Sequence, residues 1–106
     1  MADVLVNIPE SAAPGEIIEI KLLISHPMET GFRPLADGTL QPRDIITSVR
    51  CLYGGETVLE VDLHPAISAN PFLAFHLRVD RSDEIVLEWT DWYGEVQREV
   101  RQIEVV

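Results

Sequence analysis

From Glu16 to Ser25 the chain alternates. Ile18, Ile20, Leu22 and Ile24 fall on one side, with Glu19 and Lys21 on the other beside Ile17 and Leu23. A period of two is that of a strand with one buried face, because successive side chains point to opposite sides of a sheet. Six further runs read as strands. Residues 3–8 form a short first strand. Ile45 to Tyr53 sets Val49, Cys51 and Tyr53 on one face, and Glu56 to Leu63 does the same with Thr57, Leu59, Val61 and Leu63. Phe72 to Val79 turns Leu73, Phe75, Leu77 and Val79 inward and His76 and Arg78 outward. Ile85, Leu87 and Trp89 face the core on the next strand. Glu95 to Val106 forms the last, with a phase slip between Val100 and Ile103 that predicts a bulge.

The connections carry turn chemistry. Pro9 to Gly15 contains two prolines and a glycine, which exclude regular structure. Gly54-Gly55 predicts a tight hairpin, and Asp80 to Asp83 and Asp91 to Gly94 predict turns. Two segments are irregular. Residues 26–44 hold an Asp37-Gly38 turn between Pro34 and Pro42 and predict a short protruding ribbon, shielded by its prolines from edge pairing. His64 to Pro71 is the second, with room for a helical turn. Seven strands with turn signals every ten residues or so predict an all-β, immunoglobulin-like β-sandwich, a single domain over residues 1–106.

Composition agrees, with 46% hydrophobic and 25% charged residues, the balance of an ordinary globular domain. Charge narrows the partners. Eighteen acidic residues against eight basic ones give a net −10, which repels nucleic acid and anionic membranes alike. The residues after Met1 carry no basic stretch and no long apolar run, so no signal peptide is expected, and no apolar run is long enough to span a membrane.

Candidate chemistry is sparse. Cys51 is the one cysteine, so no internal disulfide forms, and its mid-strand place in an acidic chain favours a buried structural thiol over a nucleophile. Glu60, Asp62 and His64 would share one strand face, and His26 and His76 complete the histidines. With Cys51 these could in principle hold iron or zinc, but no His-x-His, Cys-x-x-Cys or His-Glu-x-x-His spacing occurs, and the acidic residues read as a solvated face. No catalytic, cofactor-binding or metal-binding residue is assigned. His26-Pro27 and His64-Pro65 each open an irregular segment, capping a turn or lining a binding surface. Trp92 and Tyr93 at a hairpin tip are either interface anchors or a cover folded over the end of the sandwich.

The run His26-Pro27-Met28-Glu29-Thr30-Gly31, then Asp37-Gly38, Pro42-Arg43 and Ile45-Ile46, resembles the SoxZ family of bacterial thiosulfate oxidation. So do Leu63 to Phe72, Trp89-Thr90-Asp91 and Gly94-Glu95, in order along nearly the whole chain. The resemblance implies an immunoglobulin-like, non-catalytic subunit without a cofactor. It implies pairing with a SoxY-like protein, whose terminal cysteine carries the substrate sulfur, and transient meetings with other Sox enzymes. It also implies a periplasmic location, reached by export with a partner that bears a twin-arginine signal. The ending here, Val100 to Val106, is a strand pattern without a glycine-rich tail, so this chain is not expected to be the swinging arm. Phe32-Arg33-Pro34-Leu35 and Trp92-Tyr93 depart from more polar stretches of the family, in loops where partner choice is set.

The partner-contact candidates are therefore His26, Met28, Glu29 and Phe32 in the first segment, His64, Asn70 and Phe72 in the second, and Trp92 and Tyr93 at the tip. Ile17, Leu23 and Val58, opposite the inward faces, are candidates for an apolar surface that SoxY covers. Two other classes stay open: a small iron-dependent reductase with His and Cys ligands on the same fold, and a generic protein-binding module.

Overall fold

A computed structural model describes residues 3–64 and 69–106. Its strands are β1 (Asp3–Asn7), β2 (Ser11–Ala12), β3 (Glu16–Ser25), β4 (Ile46–Tyr53), β5 (Glu56–Asp62), β6 (Phe72–Val79), β7 (Asp83–Asp91) and β8 (Val96–Val105). One sheet runs β1-β3-β6 and the other β2-β8-β7-β4-β5. This is an all-β sandwich of immunoglobulin-like type. Seven long strands stand where alternation predicts them. The eighth, β2, is two residues long and pairs parallel to β8 after Pro9 breaks the chain out of the first sheet. Its signal is too short to be read as a period.

Ile18, Ile20, Leu22 and Ile24 from β3 meet Val49, Cys51, Ile85, Leu87 and Trp89 from the facing sheet, all 3% exposed or less. Ile103 of β8 joins them. The bulge expected in β8 is absent: its register against β7 runs unbroken from Thr90↔Val96 to Asp83↔Ile103. Gln97, Glu99, Arg101, Ile103 and Val105 keep the inward phase, and Val96 and Val100 lie outside. Three strands cannot cover five, so inward positions of β8 near the rim reach water, and polar residues there imitate a slip. Arg101 and Glu99, two apart on one face, pair at 2.7 Å. The bulges lie instead in β4, between Ile46 and Ser48 against β7 and between Cys51 and Leu52 against β5.

Both ends of the sandwich are pinned. At one, Gly54 and Gly55 have φ of 58° and 82°, the two left-handed positions of a tight hairpin. There the Tyr53 hydroxyl accepts from the amides of Arg81 (3.0 Å) and Asp80 (3.3 Å) and donates to the Arg81 carbonyl. At the other end residues 26–44 form the expected ribbon, with bridges Glu29↔Asp44 and Pro34↔Leu40. Its tip differs from the sequence expectation. Only Gly38 is left-handed, and Leu35 bonds to both Gly38 and Thr39, so the turn is a three-residue loop closed by glycine. The domain is elongated, 59 × 19 × 19 Å. Its radius of gyration of 16.2 Å exceeds the roughly 13 Å of a compact domain this long. The helical turn expected between His64 and Pro71 falls on residues 65–68, outside the described residues.

Candidate interaction surface

The candidate residues gather at the ribbon end. β3 ends at Ser25, β6 begins at Phe72 opposite Leu23, and β4 begins at Ile46 opposite Asp91, so the irregular segments and the β7–β8 turn converge. A reciprocal clamp joins the first two. The His26 amide donates to Asn70 Oδ1 (3.0 Å), and the Asn70 amide donates to the His26 carbonyl (2.7 Å). Asn70 holds φ at 56°, a left-handed conformation that asparagine tolerates better than most residues. The His26 side chain is 11% exposed. Its Nδ1 accepts from the Met28 amide at 3.0 Å, so Nε2 carries the proton of the neutral ring and faces Asp44 Oδ1 at 3.4 Å.

Met28 departs from its expected role as a surface contact. It is 5% exposed, packed in the core, with its sulfur against the Ile46 amide at 3.2 Å. Its φ of 52° turns the chain so that an apolar side chain in a loop drops inward. It positions the ribbon. Glu29 and Asp44 exchange backbone bonds of 2.7 and 2.8 Å. The Arg33 guanidinium holds the Glu29 carboxylate through two bonds of 2.9 and 3.1 Å, which lowers its pKa.

Phe32, Trp92 and Tyr93 meet around Arg43, a residue the sequence reading did not single out. The guanidinium carbon lies 5.4 Å from the Phe32 ring centre and 5.2 Å from that of Trp92, a cation held between two aromatic faces. Arg43 Nε donates to the Thr30 carbonyl at 2.6 Å, and the Tyr93 hydroxyl donates to the Arg43 carbonyl at 3.3 Å. The rings gather at the ribbon base yet stay exposed: Phe32 71%, Tyr93 69%, Trp92 47%. Asp91 Oδ1 accepts from the amides of Tyr93 and Glu95, both at 2.9 Å, and so shapes the turn. Beside it lies a cleft of about 350 Å³ among His26, Asp44, Trp89, Asp91, Tyr93 and Glu95.

His64 is exposed just past β5. Phe72 belongs to another feature. Leu5, Leu23 and Phe72 stand in one row across β1, β3 and β6 on the outer face of the smaller sheet. Leu5 is 71% and Phe72 59% exposed. The expected grouping of Ile17, Leu23 and Val58 does not form. Ile17 sits at the opposite end of β3, level with Arg78, and Val58 is in the other sheet. The signal for Leu5 was a lone apolar residue in outward phase on a short strand.

The iron-site alternative needs converging donors. Cys51 lies between Leu59 and Leu87 in mid-sheet, His76 stands on the outer face near Glu19 at 3.9 Å, and His26 is tied to Met28 and Asp44. Among the described residues no three His, Cys, Asp or Glu side chains are grouped to hold a metal. The described donors do not fit an iron centre.

The fold defines a class: a small immunoglobulin-like β-sandwich, here with exposed aromatic rings at one end. The chain belongs to the SoxZ family, since the profile of the sulphur oxidation protein SoxZ matches residues 6–102. Membership gives it a role in sulfur and thiosulfate oxidation within the SoxYZ class, whose Z chains are in general partner subunits. Among solved structures it is similar to the sulfur carrier protein SoxY from Chlorobium limicola f thiosulfatophilum, with a TM-score of 0.69 at 17% identity over 97% of this chain and 78% of that one. It is also similar to the superoxide reductase (neelaredoxin) from Ignicoccus hospitalis, with a TM-score of 0.75 at 15% identity over 99% and 82%. At such identities the likeness is one of fold. No curated protein matches the chain at a significant level.

Proposed function

We propose that the chain is the non-catalytic subunit of a periplasmic sulfur-carrier heterodimer, paired with a SoxY-like chain whose terminal cysteine holds the substrate sulfur. The observation that carries this reading is the state of Cys51. It is fully buried, and burial pushes its thiol up to about 11. A sulfur carrier needs an exposed thiolate. This chain has a single cysteine, in the core, so the sulfur rides on its partner. The row Leu5, Leu23 and Phe72 is the face that the partner covers in this reading, because the middle of a stable interface is apolar and aromatic. The ribbon end stays open to the enzymes that load and unload the sulfur. The pair assembles in the cytoplasm and is exported together.

The test is to co-purify the two chains, expose them to thiosulfate with the oxidising enzymes, and map the adduct by peptide mass. The adduct is expected on the partner's cysteine, and Cys51→Ala leaves loading unchanged. An adduct on Cys51, or loading lost in Cys51→Ala while the pair stays intact, overturns the reading.

A further inference from the structure

The cleft at the ribbon end combines three properties. Its floor includes Trp89, 3% exposed, with the indole N–H held by Gln97 Oε1 at 3.1 Å. One wall is the exposed Tyr93 ring. Its rim carries the carboxylates of Asp44, Asp91 and Glu95. Among the described residues neither Asp91 nor Glu95 is in an ion pair, and Asp44 faces only His26. The cations nearest in sequence are already engaged, Arg43 against Phe32 and Trp92, and Arg98 and Arg50 with Glu88. The cleft is thus mostly polar and concentrates negative charge beside the exposed Tyr93 ring, on a chain of net −10. Its 350 Å³ lies at the lower limit of ligand pockets, which run from roughly 300 to 1,000 Å³. It suits one long side chain better than a whole cofactor.

We propose that this cleft docks an arginine- or lysine-bearing extended segment of a protein that visits the chain transiently. The aliphatic stem of such a side chain lies along the Tyr93 ring while its charged head meets the three carboxylates, which accommodates both parts of an amphipathic side chain. Charge complementarity of this kind speeds encounter and selects partners more than it adds affinity, as befits a visitor. The stable partner is assigned to the Leu5, Leu23 and Phe72 face by the carrier reading, on which only the word visitor rests.

The experiment is an NMR titration of the ¹⁵N-labelled full chain with a blocked glycine-serine heptapeptide carrying two arginines, against the same peptide carrying two glutamates. The arginine peptide is expected to shift the Trp89 indole and the Tyr93 and Glu95 amides, and to bind more weakly as salt rises. The double change Asp44→Asn with Glu95→Gln is expected to weaken it about 3- to 10-fold, the effect of losing two exposed charge contacts. The rest of the spectrum of that variant should be unchanged. Equal binding of the glutamate peptide, shifts centred on Leu5 and Leu23, or a double variant that binds as well as the original would each overturn the proposal. So would loss of the arginine-peptide shifts in the co-purified pair, because the cleft would then belong to the stable partner. Failure of the two chains to pair at all would overturn the carrier reading and leave the titration of the single chain standing.

Discussion

Asn70 ties the two irregular segments together, and a graded series of replacements isolates how. Its side chain accepts from the His26 amide at 3.0 Å, and its backbone sits at φ 56°. Asn70→Asp keeps the acceptor and the tolerance for that conformation and is expected to be nearly neutral. Asn70→Gly keeps the conformation but loses the bond, which on an exposed residue costs about 0.5–1 kcal/mol. Glycine's extra freedom in the unfolded chain brings that total to about 1 kcal/mol. Asn70→Ala loses the bond and also forces a side chain with no local hydrogen bond into the left-handed region, which costs roughly 1–2 kcal/mol more. The predicted order is Asp, then Gly, then Ala, with Ala about 1.5–3 kcal/mol below the original. In thermal unfolding by circular dichroism each kcal/mol moves the midpoint by roughly 4–8 °C for a domain near this size. The alanine variant therefore melts some 6 °C or more lower. Alanine and glycine variants that melt together would refute the left-handed strain argument. An alanine variant melting with the original would refute the clamp itself.

Three further outcomes follow from named contacts. Cys51 should resist iodoacetamide at pH 8 until the chain is unfolded. Its folded pKa is raised by burial from 9.0 to about 11, so its contribution to stability is complete below about pH 9 and is lost as pH rises toward 11; rapid native labelling would contradict this. Gly54→Ala should destabilise by more than about 1 kcal/mol, since a Cβ there would meet Arg81 Nη2 at 2.5 Å and Asp83 Oδ2 at 2.7 Å. Gly55→Ala, with open space around it, should cost less when the two variants are compared by urea titration. Leu5→Asp should leave the single chain within about 0.5 kcal/mol of the original yet weaken pairing with the SoxY-like chain at least ~10-fold; unimpaired co-elution would remove that face from the interface.

What the sequence displayed follows from the range of the interactions involved. Strands β3, β6 and β7 bury one face each, so their period is visible locally, and Gly54-Gly55 announces its own turn. The false bulge in β8 arose because rim positions tolerate Glu99 and Arg101 in inward phase. The surface was legible only in part. Phe32, Trp92 and Tyr93 were conspicuous as aromatics in loops. That they close around Arg43 depends on the register Ile46↔Asp91, a contact 45 residues apart in the chain (91 − 46). Met28 looked like a loop residue because its inward turn comes from its own left-handed backbone. Asp91 and Glu95 were hidden by an acidic composition in which no single carboxylate stands out.

The central claim is that this chain works as one half of a pair. Native mass spectrometry after co-expression with a SoxY-like chain tests it most directly. The account predicts a one-to-one complex that survives desalting, with any sulfur adduct on the partner. The chain alone, or bound only to copies of itself while the SoxY-like chain runs separately, would contradict it.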